Sequence, residues 1–148
     1  MSRPEFPPDL RREALGLMAR APAALMARAL PDLPAHDLLR APEIGTVMVR
    51  GRAGGTGAAF NLGEMTVTRA SVRLAASGTV GHGYVQGRSR DHALRAACAD
   101  ALGQDDPAAL AAITAPLREA ETAARAATAA AAAATRVEFF TLVRGEDE

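Results

Sequence analysis

Residues 46–86 change the hydrophobic period of the chain, and this limits the fold more than any other feature. On either side of them apolar residues recur at three and four; within them the spacing is that of extended strands. Over 46–52, Val47 and Val49 point one way while Met48, Arg50 and Arg52 point the other. Gly54-Gly55-Thr56-Gly57 follows, a turn rich in residues that tolerate positive φ. A second extended run covers 60–75. Met65 and Val67 have one parity in it, and Ala70, Val72 and Leu74 the other, so a bulge near Arg69 is expected to reconcile them. Ser77-Gly78 makes the next turn. A short strand over 79–85, broken by Gly81 and Gly83, then leads into Gln86-Gly87-Arg88.

The flanks read as helices. Residues 1–8 are proline-rich and expected to be flexible. From Asp9, a candidate cap, Leu10, Ala14, Leu17, Met18 and Ala21 recur at helical spacing. Pro22 opens a second short helix carrying Leu25, Met26 and Leu30, which Pro31 and Pro34 end. One more helical turn is expected over 35–40, so that 9–40 is helical throughout. After the strands, Ser89 caps a helix with Leu94, Cys98 and Leu102 on one face. Asp106-Pro107 signals the start of another. Pro116 should break or kink it, and the alanine-rich remainder to 134 packs closely but buries little per residue. Residues 137–143 are apolar on both parities, as in a strand covered on both sides. The expected fold is therefore α+β, one domain over 1–148. An antiparallel sheet of about four strands packs with N-terminal and central/C-terminal helices, and the last strand completes the sheet.

Charge removes several functions. Seventeen basic residues balance seventeen acidic ones. A nonspecific nucleic-acid binder needs a basic surplus, which this chain lacks. Every basic residue is Arg, which excludes a Schiff-base lysine, a lysine general base and a P-loop lysine. A single Cys forms no internal disulfide. No apolar run approaches the roughly 20 residues of a membrane span, so the cytoplasm is the expected location.

The residues offer little catalytic chemistry. His82, His92 and Cys98 lack the spacing of metal ligands, and Cys98 shares a helix face with Leu94 and Leu102, so no metal site is expected. Ser71, Ser77 and Ser89 lie in no nucleophile-elbow context, and Glu64 and Asp91 are single carboxylates near turns. No catalytic residue is assigned. The more informative pattern is glycine beside arginine. Arg50, Arg52, Gly54, Gly55 and Gly57 could present amides and guanidiniums to an anion, and Arg88 has a similar setting. The glycines could equally serve only a hairpin turn, and the arginines a partner contact.

Several stretches together resemble one family: APEIGTVMVRGRAGGTGAAFNLGEMTVTRASVRL at 41–74, GHGYVQGRSRDHALRAA at 81–97 and RVEFFTLVRGE at 136–146. They are similar to PhnG, the small subunit of the bacterial carbon–phosphorus lyase core complex. The resemblance implies a non-catalytic accessory subunit in organophosphonate catabolism. It implies PhnH-, PhnI- and PhnJ-like partners, two copies of each in a symmetric complex, with a PhnL-like protein beside them. The activity implied for the complex is alpha-D-ribose 1-methylphosphonate 5-triphosphate synthesis, in which methylphosphonate replaces the adenine of ATP at ribose C1. ATP and methylphosphonate are then substrates of the complex. The iron–sulfur cluster and SAM belong to a partner subunit, and this chain binds no cofactor. On that reading Arg50, Arg52 and Arg88 are candidates for substrate or interface contact, and Arg69 and Arg144 for buried ion pairs or interface contacts. The residues alone leave an alternative open: an autonomous anion- or nucleotide-binding small enzyme, or a regulatory module.

Overall fold

The computed structural model describes residues 7–137. Helix α1 (Pro8–Arg20) begins with Pro8 in its first turn, where a missing N–H costs nothing. Pro7 occupies the cap position, and Asp9 lies in the first turn as a charge complement to the helix dipole instead of the expected cap. Helix α2 (Ala23–Ala29) starts after Pro22, as the sequence indicates, and ends at Leu30. The expected helical turn at 35–40 is absent. Strand β1 (His36–Arg52) already runs through that segment. Pro42 disfavours the helical region for the residue before it, and the extended backbone gains cross-strand partners between Ser71 and Leu74.

Strand β1 pairs antiparallel with β2 (Ala59–Leu74), which pairs antiparallel with β3 (Val80–Gln86), giving the sheet order β1-β2-β3. A fourth strand at 137–143 lies outside the described residues but for Val137, which is exposed and in no strand. The bulge expected near Arg69 falls beside it, but on β1: from Arg40 to Glu43 that strand has one residue more than β2 has from Ser71 to Arg69. Arg69 itself pairs with Glu43 and Tyr84. The shifts fall between Leu38 and Arg40 and between Arg40 and Glu43 on β1, and where Val49 and Arg50 face Gly63 and Asn61. No parity switch is needed, because both faces of β2 bury something. Thr68, Ala70, Val72 and Leu74 are buried on the core side, while Val67 is buried apart from the core cluster.

Helix α3 (Arg90–Asp105) lies on β2 and β3, and α1, α2 and α4 (Pro107–Ala134) pack around it. The starting signals of α3 and α4 read correctly from sequence. Ser89 Oγ accepts from the His92 amide at 3.2 Å, and Asp106 Oδ1 accepts from the Ala108 amide at 2.9 Å. Gly81 and Gly83 do not break β3. They are where α3 rests on it: a Cβ at Gly81 would stand 2.1 Å from the Ala97 carbonyl oxygen, and one at Gly83 2.1 Å from that of Ala93. The innermost face of α3 is correspondingly alanine, at Ala93, Ala97 and Ala101. Cys98 is fully buried, and burial pushes its thiol up to about 11, which leaves it a small core hydrophobe. Pro116 interrupts nothing; α4 is continuous through it. The carbonyl it leaves without an N–H belongs to Ala112, an exposed residue where water can take it.

Two buried polar groups tie these layers together. Asp100, 1% exposed, takes a bidentate bond from Arg11 of α1, with Nε to Oδ1 and Nη2 to Oδ2 both at 2.8 Å. The same carboxylate accepts the His82 amide of β3 at 2.9 Å. Gln104 reaches the carbonyl of Val80 at 2.8 Å. These α3 side chains satisfy backbone groups of β3 that no strand pairs, which blunts the sheet edge. His92, 2% exposed, bonds through Nε2 to the Met18 carbonyl at 2.7 Å. A carbonyl only accepts, so Nε2 carries the proton.

Burial pushes the His92 pKa below its ordinary value. The unfolded chain therefore binds the extra proton more readily. The stabilisation this gives is complete above about pH 6.5 and is lost as pH falls through the depressed folded value. The urea midpoint of the wild type is expected to fall between about pH 7.5 and about pH 5.5, and that of His92→Gln to fall much less. Equal falls in both would place the acid sensitivity elsewhere.

Candidate functional site

Strand β3 pairs with β2 only between Val67 and Arg73. Beyond Val67, β1 and β2 continue alone to Arg52 and Ala59 as a two-stranded arm. An isolated two-stranded ribbon is at best marginally stable in water. This one also carries exposed Met48, Phe60 and Leu62, which are 52%, 46% and 61% accessible. Its tip is the glycine turn. Gly54 and Gly55 have φ of 60° and 78°, values that favour glycine. Gly57 closes the turn by donating its amide to the Ala53 carbonyl at 3.3 Å. Arg52 Nη1 donates to the Gly57 carbonyl at 3.0 Å, so this guanidinium braces the turn it flanks. Arg50 is exposed nearby on the same strand.

Arg88 is exposed at the other end of the arm, just before the Ser89 cap. The Gly87 amide donates to the Thr66 carbonyl at 2.9 Å, which pins this loop to the base of the arm. Seven strand steps from 59 to 66 separate base from tip, about 23 Å at the usual rise per residue. The arginines and glycines singled out from sequence therefore do not converge. Arg50, Arg52, Gly54, Gly55 and Gly57 share the tip, Arg88 stands at the base, and Arg144 lies outside the described residues. Arg69 belongs to a third place, the sheet face turned away from the helices, where its Nη2 pairs with Glu43 at 3.3 Å.

That sheet face is the larger feature, and sequence reading missed it. Cross-strand partners share a face, so the register sets out its rows. Asp37, Arg73 and Val80 form one; Arg40, Ser71 and His82 the next; Glu43, Arg69 and Tyr84 the third. The helices pack on the opposite face, against Ala70, Val72, Leu74 and Val85. Arg40, Arg73, His82 and Tyr84 are exposed, and Ser71 Oγ lies 2.9 Å from His82 Nδ1. Arg40 fell within the segment expected to be helical, so nothing in the sequence pattern put it beside Ser71. Of the other residues considered for chemistry, Asp91 pairs with Arg95 at 2.7 Å, and Glu64 is exposed on the arm opposite Met48. Among the described residues no group of three or more His, Cys, Asp or Glu is placed to hold a metal ion.

The far half of α4 is also uncovered. From Thr122 to Ala134 every residue is exposed. A cavity of about 660 Å³ lies between this half and the end of α1, lined by Leu17, Pro22, Leu117 and Ala124, with the Arg20–Glu121 ion pair in its wall. Arg20 holds the Glu121 carboxyl below its usual range. No described helix is long and apolar enough to cross a membrane.

Among the described residues, a sheet packed by helices on one face, extended by a two-stranded arm and a helix with an exposed far half, defines a small α+β protein. The chain belongs to the PhnG family of phosphonate metabolism proteins, whose family model matches residues 9–145. A protein of Rhizobium meliloti (strain 1021), named alpha-D-ribose 1-methylphosphonate 5-triphosphate synthase subunit PhnG, is 48% identical over 145 residues, covering 93% of this chain and 90% of that protein.

Proposed function

We propose that this chain is a non-catalytic accessory subunit of a carbon–phosphorus lyase system, supporting alpha-D-ribose 1-methylphosphonate 5-triphosphate synthesis from ATP and methylphosphonate. The observation that carries this reading is the 48% identity to a synthase subunit across nearly the whole of both chains. The bare arm and the free half of α4 support it. Apolar groups such as Met48, Phe60 and Leu62 on an unsupported ribbon are the kind of surface that a partner covers. PhnH-, PhnI- and PhnJ-like subunits, two of each in a symmetric cytoplasmic assembly with a PhnL-like protein beside it, are the partners this role calls for. The iron–sulfur and SAM chemistry lies in one of them. Arg50, Arg52, Arg88 and Arg144 serve subunit contacts, and Gly54, Gly55 and Gly57 shape the tip of the arm that makes one.

The test is to co-express the chain with those partners, purify the assembly, and follow adenine release and the triphosphate product from ATP plus methylphosphonate. Omitting the chain is expected to dissolve the assembly and reduce product at least tenfold, a loss of about 1.4 kcal/mol or more in transition-state terms. Arg88→Ala is expected to weaken assembly at most and to leave turnover per assembled complex unchanged. Full product without the chain would remove the subunit role. Normal assembly with collapsed product in R88A would place Arg88 in a shared site and end the non-catalytic reading.

A further inference from the structure

The middle rows of the open sheet face hold charge that the described residues do not use. Arg40 and Arg73 form no ion pair among the described residues, although Asp37 stands opposite Arg73 in register. Arg69, by contrast, is held by Glu43. Ser71 lies between them: Arg40 is its partner across one side, His82 across the other, and Arg73 is two residues along the same face. Neighbouring strands are about 4.8 Å apart and alternate residues about 6.8 Å apart, so these four residues occupy a patch roughly 10 Å by 7 Å. Arginine side chains reach across such a patch easily.

The Ser71–His82 contact adds a directed donor. If the imidazole proton is on Nε2, Ser71 donates to Nδ1 and the Nε2–H is free for a ligand. If it is on Nδ1, that N–H donates to Ser71 Oγ and the hydroxyl proton is free instead. Either tautomer leaves one donor beside two planar guanidiniums. The backbone under His82 is fixed by its amide bond to the buried Asp100. A carboxylate offers two coplanar oxygens to such a set. A tetrahedral group offers three or four in different directions, which suits donors arriving from three strands.

We propose that Arg40, Ser71, Arg73 and His82 form a binding site for a tetrahedral oxyanion of the phosphoryl type on the sheet face turned away from the described helices. The site is separate from the glycine turn and from Arg88, and it stands whether or not the chain supports triphosphate synthesis.

The protein carries its own reporter. Tyr84 is the only tyrosine and tryptophan is absent, so near-ultraviolet-excited emission comes from this one residue, beside His82 on the same face. The full chain is titrated with inorganic phosphate at constant ionic strength, with acetate as a parallel series. Phosphate is expected to give a saturating change in Tyr84 emission. The Arg40→Gln/Arg73→Gln double variant, checked for folding by far-ultraviolet circular dichroism, should weaken the apparent affinity about tenfold or more. Arg50→Gln/Arg52→Gln should leave it unchanged. Should the double variant not fold, Arg73→Gln alone replaces it, with a weakening of about threefold or more expected from one lost guanidinium. A change linear in phosphate in the wild type, or the same saturation in the variants, overturns the proposal. Acetate saturating as tightly as phosphate would overturn the choice of a tetrahedral ligand.

Discussion

Gly83→Ala is expected to cost at least about 3 kcal/mol of folding stability, and Gly81→Ala/Gly83→Ala together to leave no soluble folded protein. The added methyl at Gly83 would stand 2.1 Å from the Ala93 carbonyl oxygen and 2.8 Å from the Ala97 nitrogen. Both are backbone atoms of α3, so no side-chain rotation relieves the clash. The helix must lift by an ångström or more, and the contacts of Ala93, Ala97 and Ala101 with the sheet go with it. Against this, replacing glycine restricts the unfolded chain and returns only about 0.4–1 kcal/mol. Overpacking of a tight core costs about 1–3 kcal/mol even where side chains can adjust, so the steric term decides the sign. Urea unfolding followed by circular dichroism measures it, as a lower midpoint with an unchanged slope. Gly45→Ala is the control: it also lies in a strand, yet its Cβ would meet nothing within 4 Å, and a change within about 0.5 kcal/mol is expected. A Gly83→Ala loss below about 1 kcal/mol would mean that α3 does not bear on β3 so closely.

The same pair of glycines shows where sequence reading stops. Local signals held at the starts of α3 and α4, in the first strand and at the glycine turn, but not at Asp9, which lies inside α1, nor at Pro116, which α4 runs through. Ser89 and Asp106-Pro107 start helices because a side-chain oxygen or a proline ring acts within one turn. Val47 and Val49 are half-buried and Met48, Arg50 and Arg52 exposed, as their alternation requires. The glycine turn sits where positive φ is needed. The other failures depend on neighbours distant in sequence. Glycines in β3 read as breaks, because the reason for them is the backbone of a helix ten or more residues later. Residues 35–40 read as a helical turn, because the residues that pair with them, Ser71 to Leu74, lie over thirty residues on. The bulge near Arg69 was inferred as a switch of parity within β2; it lies on the facing strand, between Arg40 and Glu43, and Val67 is buried on the other face without any switch. The open-face cluster is the sharpest case. Arg40, Ser71 and His82 come from three strands, and only the register, with two shifts in β1, puts them in one row.

Asp100→Ala is expected to cost about 3 kcal/mol. The carboxylate is 1% exposed and sits where α1, α3 and β3 meet. Removing it takes away three things at once. Arg11 loses both of its 2.8 Å bonds, the His82 amide loses its acceptor, and a cavity replaces the side chain. Arg11 suffers least, since its side chain is 35% exposed and can turn to water. The His82 amide loses the acceptor that α3 gives it, and a backbone donor left unpaired costs about 1–3 kcal/mol. Asp100→Asn keeps an oxygen for that amide but not the charge for Arg11, so about half the loss is expected. Arg11→Ala leaves the buried carboxylate with only neutral donors and should cost as much as the asparagine substitution. The two sites share one interaction, so Arg11→Ala/Asp100→Ala should be less destabilised than the sum of the singles by at least about 1 kcal/mol in a double-mutant cycle. Additivity within about 0.3 kcal/mol would show that the ion pair contributes nothing beyond its parts. Holding the His82 amide also holds the ring beside Ser71. Asp100→Asn, which retains the oxygen, should therefore disturb the phosphate response of Tyr84 far less than Asp100→Ala does, at equal fraction folded. Equal disturbance by both would separate the open face from the buried network beneath it.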